Sequence, residues 1–486
     1  MEIVIKGPLP KYEIEHLARL FFPPARLQSG ESRGKDRVYV RAARRRLAVG
    51  LCHGGRCVYT VCALPANADA EQEACRALYH LLKAETDLCP PWGMLTGVRP
   101  VNRLRKLTAA RGAAEAKRSF LEESDVSPAK YRLARHIADC QAPVLASSAK
   151  NSYSLYISVP FCPSRCAYCS FVSRSIERET KLIQPYLLAL QQELAATSAT
   201  AKSLGLRLES IYIGGGTPTA LPVAELEQLL CMVARYFDTA AVREYTVEAG
   251  RPDCTGYDKL ALLKAFGVGR ISINPQTMQD AVLQAIGRRH TAGDILRCME
   301  DARRAGHTII NMDLIAGLPG DTPAGFRKTL EAILPLSPEN ITLHTLTLKR
   351  ASNLVIDQTP AASSVPDEML RAGYSRFAQE GYHPYYLYRQ KNTVSNLENT
   401  GWAKPGYECL YNIFIMEEAH SILAAGAGGT TKLVRQAGGQ IRRIANYKYP
   451  ADYIEGLDTI LGKKAEVEAF YGSPVDTQAA DGSRVD

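Results

Sequence analysis

Between Tyr153 and about Arg350, short apolar runs alternate with amphipathic helical segments, and this alternation restricts the fold more than any other feature. Strands are predicted at Leu155–Val159, Ser210–Ile213, Glu244–Glu248, Arg270–Ile273, Thr308–Leu314 and Asn340–Thr345. Helices fall between them near Glu179–Ala201, Pro222–Tyr236, Tyr257–Ala265, Ala292–Ala305 and Pro323–Leu334. Six β/α units without a long antiparallel stretch put this segment in the α/β class, a parallel sheet with helices outside it.

The first strand runs into Pro160-Phe-Cys162-Pro-Ser-Arg-Cys166-Ala-Tyr-Cys169, a loop with C-x3-C-x2-C spacing. Three thiolates hold three irons of a cubane 4Fe–4S cluster, and the fourth iron stays open to a chelating ligand. A structural zinc site needs four closed ligands, usually as two C-x2-C pairs, and no second pair follows at a suitable distance. Three interior cysteines without a ligand are the plainer alternative. The strand, the proline and the intervening Tyr168 speak against it.

Other polar or glycine-rich positions follow the same strand ends. Gly214-Gly215-Gly216-Thr217 directly follows the second strand; glycines let the backbone approach a ligand closely, although a tight turn uses the same run. Glu248 ends the third strand and Gln276 follows the fourth. Arg288 lies in Ile286-Gly-Arg-Arg-His290, Asp313 in Asn311-Met-Asp-Leu-Ile, and Tyr156 in the first strand.

The cysteine spacing resembles that of the radical S-adenosylmethionine (radical SAM) enzymes. That resemblance implies a six-stranded partial TIM barrel with its site at the strand C-termini. It also implies a 4Fe–4S cluster on Cys162, Cys166 and Cys169, and S-adenosyl-L-methionine chelating the open iron and cleaved there to a 5′-deoxyadenosyl radical. Gly215, Gly216 and Thr217 match the family segment that supports the cofactor amino group. Arg288 suits its carboxylate, Asp313 its ribose hydroxyls, and Tyr156, Glu248 and Gln276 complete the cofactor contacts.

Longer segments narrow the resemblance. Leu155-Tyr-Ile-Ser-Val-Pro-Phe-Cys, Ile211-Tyr-Ile-Gly-Gly-Gly-Thr-Pro-Thr and Asp313-Leu-Ile-Ala-Gly-Leu-Pro-Gly are similar to the oxygen-independent coproporphyrinogen III oxidase group. Ala403-Lys-Pro-Gly-Tyr-Glu-Cys409 continues the likeness. Val247-Glu-Ala-Gly-Arg-Pro-Asp and Tyr386-Leu-Tyr-Arg-Gln-Lys-Asn look most like its coproporphyrinogen dehydrogenase, HemZ-type branch. The implied reaction is oxidative decarboxylation of coproporphyrinogen III, with electrons from a small reducing protein. Two positions depart from the oxidases: Phe171 replaces a further cysteine, and Ser158 replaces a histidine. A phenylalanine after the cysteines is shared with the heme-chaperone branch. That branch implies a non-catalytic alternative with an axial ligand among His290, His344, His383 and His420.

The 486 residues allow two or three domains. The expected division is an N-terminal α/β domain over 1–150, the barrel over 151–350, a mixed α/β accessory domain over 351–465 closing the barrel's open side, and a disordered tail over 466–486. In the first domain Met1–Ile5, Arg37–Val40, Leu47–Cys52 and Cys57–Ala63 read as strands, with a hairpin at Gly54-Gly55, and Gln141–Ser152 as a linker. Cys52, Cys57 and Cys62 are expected not to converge, because five-residue steps along strands alternate faces.

Thirteen cysteines beside a cluster loop suit a reducing compartment better than a disulfide framework. No apolar run reaches membrane-spanning length and no signal peptide is evident, so a cytoplasmic location is expected. The net charge of +9 is concentrated: Arg26–Arg46 holds eight Lys/Arg against two acids, and Arg99–Arg118 seven against one. Such a surface attracts polyanions. Without aromatic interleaving it does not indicate nucleic acid; a tetracarboxylate, an acidic electron donor or plain solvation fits as well.

Overall fold

The computed structural model describes all residues except 23–25, 29–34, 44, 66, 98, 170–173, 348–364, 391–395, 436–438 and 473–486. Among the described residues the chain forms two compact units. One is drawn from Met1–Arg135, Ile356–Asp367 and Arg389–Glu398; the other from His136–Val355, Glu368–Tyr388 and Asn399–Asp486.

The first unit is built on a five-stranded sheet of β1 (Glu2–Lys6), β2 (Arg26–Gln28), β3 (Arg37–Ala43), β4 (Arg46–His53) and β5 (Arg56–Ala63), in the order β2-β1-β3-β4-β5. Helices α1 (Lys11–Phe21) and α2 (Ala70–Thr86) bury Ile14, Leu17, Phe21, Leu78 and Leu82 with Val38, Val40, Leu47 and Val49 of the central strands. These positions recur at helical and strand periods, which is why the elements form where they do. The side chain of Asp69 caps α2 by accepting from the Glu71 and Gln72 amides. Helices α3 (Pro100–Arg111), α4 (Ala113–Arg118) and α5 (Pro128–Ala146) follow. Trp92 is fully buried and donates its indole N–H to Glu398 Oε2 at 2.8 Å; Lys130 ion-pairs with the same carboxylate.

Two local expectations are corrected. Gly54 and Gly55 do turn the β4–β5 hairpin, both at positive φ. The turn, however, sets Cys52 directly across from Cys57, and the two form a disulfide. Alternation along one strand does not govern a cross-strand pair: reversal of the chain returns Cys57 to the face of Cys52, while Cys62 stands opposite Leu47. The segment read as a linker is helical as far as Ala146. Gln141 is buried there and donates to the Tyr385 carbonyl at 3.0 Å.

The second unit carries β6 (Ser152–Val159), the two-residue pair β7 (Phe161–Cys162) and β8 (Arg174–Ser175), and then β9 (Arg207–Gly215), β10 (Glu244–Glu248), β11 (Arg270–Ser272), β12 (Ile309–Ala316) and β13 (Asn340–Thr345). Its helices begin with α6 (Thr180–Ser203), α7 (Val223–Tyr236), α8 (Tyr257–Ala265), α9 (Asp280–Ala285), α10 (Ala292–Arg304) and α11 (Pro323–Ile333). Strands β6, β9, β10, β11, β12 and β13 pair in parallel and in sequence order, forming the six-stranded run of a partial TIM barrel. Most of their side chains are buried, as expected of a parallel sheet covered on both faces.

After α12 (Val365–Gln379), the chain adds strands to both edges of this same sheet. Strands β14 (His383–Arg389) and β15 (Glu398–Ala403) extend it beyond β13, and β16 (Ser421–Ala425), β17 (Thr430–Arg435) and β18 (Gln440–Ala445) extend it beyond β6. The sheet therefore ends at β14 and β18 and is not a closed barrel. Helix α13 (Leu410–Glu417) lies between β15 and β16. Its first amides, those of Leu410 and Tyr411, donate to the Glu244 carboxylate at 3.0 and 3.1 Å, a favourable place for an anion. Helices α14 (Pro450–Glu455), α15 (Leu457–Gly462) and α16 (Lys464–Gly472) complete the described chain. Most of the expected tail, from residue 473 onward, lies outside the described residues. No described helix is long and apolar enough to cross a membrane.

Candidate iron–sulfur and adenosylmethionine site

The cysteine loop leaves the C-terminal end of β6, and β7 pairs with β8 to tie its two ends together. None of Cys162, Cys166 and Cys169 is in a disulfide. Their sulfurs do not gather within 4.8 Å as a single-ion site would require. A cubane does not need them to converge on one ion, because it takes each thiolate on a different iron. Phe171 lies outside the described residues.

The glycine run is fixed to this loop through backbone. Gly216 N–H donates to Val159 O and Thr217 N–H to Phe161 O, both at 2.7 Å, and Thr217 Oγ1 lies 3.4 Å from Cys162 Sγ. A Cβ on Gly216 would sit 2.4 Å from Phe161 O, so only glycine lets the two segments approach this closely. Gly215 has φ of +105°.

Glu248, at the end of β10, accepts from Tyr212 Oη at 2.7 Å. Burial pushes its carboxyl up to about 7; Tyr212 pulls the other way and the nearby Asp313 charge adds to the rise. Tyr212 also stacks on Tyr411, with centroids 4.5 Å apart, and Tyr156 stacks on both rings at 6.1 and 6.2 Å. The three faces form an aromatic wall beside Glu248.

Gln276 follows β11 at φ +66°, rare for a residue with a Cβ. Its N–H donates to Asp313 O at 2.9 Å, which ties this turn to β12. The Asp313 carboxylate accepts from Asn311 Nδ2 at 2.7 Å and lies 3.8 Å from His344 Nε2. Burial alone would raise its pKa, but His344 and Asn311 outweigh that and hold it below the usual carboxylate range.

Arg288 is nearly buried. One terminal nitrogen donates to Gly250 O and Asn274 O at 3.3 and 2.8 Å, and the other to Tyr168 Oη at 2.9 Å. The fork expected for an adenosylmethionine carboxylate is thus engaged with the cysteine loop and two strand-end carbonyls. Arg288 Nε and Asn274 Oδ1 are buried without a hydrogen-bond partner among the described residues. Such orphaned groups fit a site that takes a polar ligand.

Arg251 was not singled out from the sequence. It is 4% exposed and donates to Ser164 Oγ at 2.9 Å, Ser164 O at 3.2 Å and Cys166 Sγ at 3.4 Å, while Asp253 holds it through two bonds of 2.8 and 2.6 Å. Arg251 thus ties Ser164 and Cys166 of the loop to the end of β10. The available signal was Arg251-Pro-Asp253 directly after the Glu248 strand end, but one arginine beside one acid is too common a pattern to select.

The sequence model of the Radical SAM superfamily matches residues 156–333. The chain is 37% identical to the oxygen-independent coproporphyrinogen-III oxidase-like protein HemZ of Bacillus subtilis, over 79% of this chain and 78% of that one. It is 31% identical to the heme chaperone HemW of the same organism, over 66% of this chain and 82% of the relative. Among solved structures it resembles coproporphyrinogen III oxidase (HemN) from Escherichia coli, with a TM-score of 0.52 and 23% identity over 67% and 73% of the two chains, a likeness of fold. Members of this superfamily use a 4Fe–4S cluster and S-adenosylmethionine, and the three thiols and the glycine cradle suit that pair. The chain belongs to the radical SAM superfamily and, within it, to the oxygen-independent coproporphyrinogen III oxidase group.

Proposed function

We propose that the protein oxidatively decarboxylates coproporphyrinogen III, turning two propionates into vinyl groups to give protoporphyrinogen IX. The observation that carries this reading is the three-thiol loop at the same end of the parallel strands as a half-buried carboxyl, Glu248, with a raised pKa, and an aromatic wall. Similarity to the oxidase-like HemZ protein across most of both chains supports the choice of substrate.

When bound, the cluster and adenosylmethionine supply a one-electron route to a carbon radical that takes hydrogen from the substrate. The chain's own residues bind, orient and shield. Cys162, Cys166 and Cys169 would hold the cluster, with Arg251 bracing the loop at Ser164 and Cys166. Gly215, Gly216 and Thr217 would offer backbone to the cofactor amino group, Asp313 would suit its ribose hydroxyls, and Arg288, through its unpartnered Nε, its carboxylate; Gln276 would complete the contacts. Tyr156, Tyr212 and Tyr411 exclude water from the reacting side. The basic segment Arg99–Arg118 of the first unit would attract the propionate carboxylates electrostatically.

A heme-chaperone role is the second reading, favoured by the similarity to HemW. It calls for an axial histidine. His420 is bonded at both ring nitrogens, to Ser148 Oγ at 2.9 Å and Ser154 Oγ at 2.8 Å, and burial pushes it down to about 4. His290 is buried, and His383 is bonded to Glu408. Half-buried His344, near Asp313 and Tyr388, is the ring this reading would use.

Anaerobic incubation of the reconstituted protein with adenosylmethionine, a reductant and coproporphyrinogen III separates the two. Protoporphyrinogen appearing together with 5′-deoxyadenosine is the expected result. Stoichiometric heme transfer without turnover, abolished by His344→Ala, would overturn it in favour of the chaperone.

A further inference from the structure

Helix α5, strand β14 and the turn between β15 and α13 meet at a side-chain cluster that the proposed reaction does not use. Cys140 comes from α5, His383 opens β14, and Glu408 precedes Cys409, the N-cap of α13. One ligand-capable atom of each lies within 4.8 Å of the other two, and no other group of three His, Cys, Asp or Glu among the described residues meets that condition. His383 Nε2 lies 2.8 Å from Glu408 Oε1, which also accepts from the Gly406 amide at 3.3 Å. All three side chains are half-buried. His136 lies four residues before Cys140 on α5, with its ring centroid 6.2 Å from that of His383.

We propose that Cys140, His383 and Glu408 form a binding site for a divalent metal ion of the zinc class. A thiolate, an imidazole and a carboxylate suit a borderline-soft ion. Calcium and magnesium prefer oxygen ligands alone. Three ligands leave one tetrahedral position for water or for His136. On binding, the Cys140 thiol and the His383 imidazolium each lose one proton to solvent as the metal–sulfur and metal–nitrogen bonds form; no electron moves.

The site stands apart from the cysteine loop. Ala403, the last residue of β15, pairs with Asn340, the first of β13, and Arg270, the first of β11, donates to Glu408 O at 3.3 Å. Glu408 therefore lies at the N-terminal ends of the parallel strands, whereas Cys162 follows the C-terminal end of β6. In β/α barrels that N-terminal face serves stability rather than chemistry. The ion's role is then to pin α5 to the edge strand β14 and to the turn that leads into α13.

The test uses the full chain with its iron–sulfur cluster reconstituted, so that Cys162, Cys166 and Cys169 are already taken. After dialysis against a weak chelator, zinc chloride is titrated in, and bound zinc and iron are measured together. About one zinc per chain is expected with iron unchanged, sulfur among its ligands by X-ray absorption, and affinity reduced at least about tenfold in Cys140→Ser and in His383→Ala. Should either variant fold poorly, Glu408→Gln keeps the side-chain volume and is expected to weaken zinc binding too. Zinc content that is substoichiometric in the parent protein, or equal in parent and variants, would overturn the site and leave a His383–Glu408 ion pair.

Discussion

Glu248 combines a carboxyl with surroundings that disfavour its charge. Its pKa of about 7 in the folded chain exceeds the ordinary value of 4.5, with burial the largest cause. Between those two values the folded state binds more protons than the unfolded one. The stability Glu248 contributes is therefore complete below pH 4.5 and lost as pH rises to about 7. Glu248→Gln keeps the acceptor for Tyr212 and removes the charge. In the cofactor-free protein its unfolding free energy by urea titration should match the parent near pH 4.5 and exceed it at pH 8, by on the order of 3 kcal/mol at most. A difference that does not change with pH would remove the raised carboxyl. Gly216 poses a different kind of constraint. Gly216→Ala drives a Cβ onto Phe161 O and Val159 O, backbone atoms that cannot swing away. A cost of about 1–3 kcal/mol is expected. It should appear as reduced iron content after reconstitution, because the displaced segment is the one bonded to the start of the cysteine loop.

The cysteine loop is braced by residues from several strand ends. Ala167 N–H donates to Ile286 O at 2.9 Å, Tyr168 bonds Arg288, and Arg251 reaches Ser164 and Cys166. Arg251→Met removes the guanidinium while preserving apolar bulk, and leaves Asp253 largely buried beside His290, 3.8 Å away. Breaking such a pair costs about 3–5 kcal/mol. Amide exchange across residues 162–169 should accelerate in the variant, whereas Arg289→Met, which loses only an exposed pair with Glu177, should change nothing there. Much of this framework was legible beforehand. The six parallel strands and their five long helices follow from runs whose period and flanking turns agree, and the cysteine and glycine motifs advertise themselves by spacing. Arg251 and Tyr212 were not legible, since their roles come from neighbours on other strands. Helix α9, six residues long, is too short to display a period. The Cys52–Cys57 pairing needed the register of a hairpin, and the strands added at both sheet edges needed partners far away in sequence.

Across the whole molecule, the parallel run lies inside a larger open sheet, while the basic charge is concentrated in segments of the first unit. The overall charge of +9 and the four carboxylates of the proposed substrate attract each other at long range, within a Debye length of about 8 Å at physiological salt. Not every arginine of the 99–118 segment contributes equally. Arg103 N–H bonds Arg99 O, so these two stand one helical turn apart at the start of α3; Arg105, two residues further on, points to a different face. A clustered pair of cations holds a propionate better than a single one. Arg99→Glu combined with Arg103→Glu should therefore weaken coproporphyrinogen III binding more than Arg105→Glu alone, by about tenfold or more at low salt, and the gap should narrow as salt rises. Anaerobic titration at two ionic strengths measures both effects. Equal affinities for parent and double variant would remove the first unit from substrate binding and leave the cations of the second unit to hold the propionates.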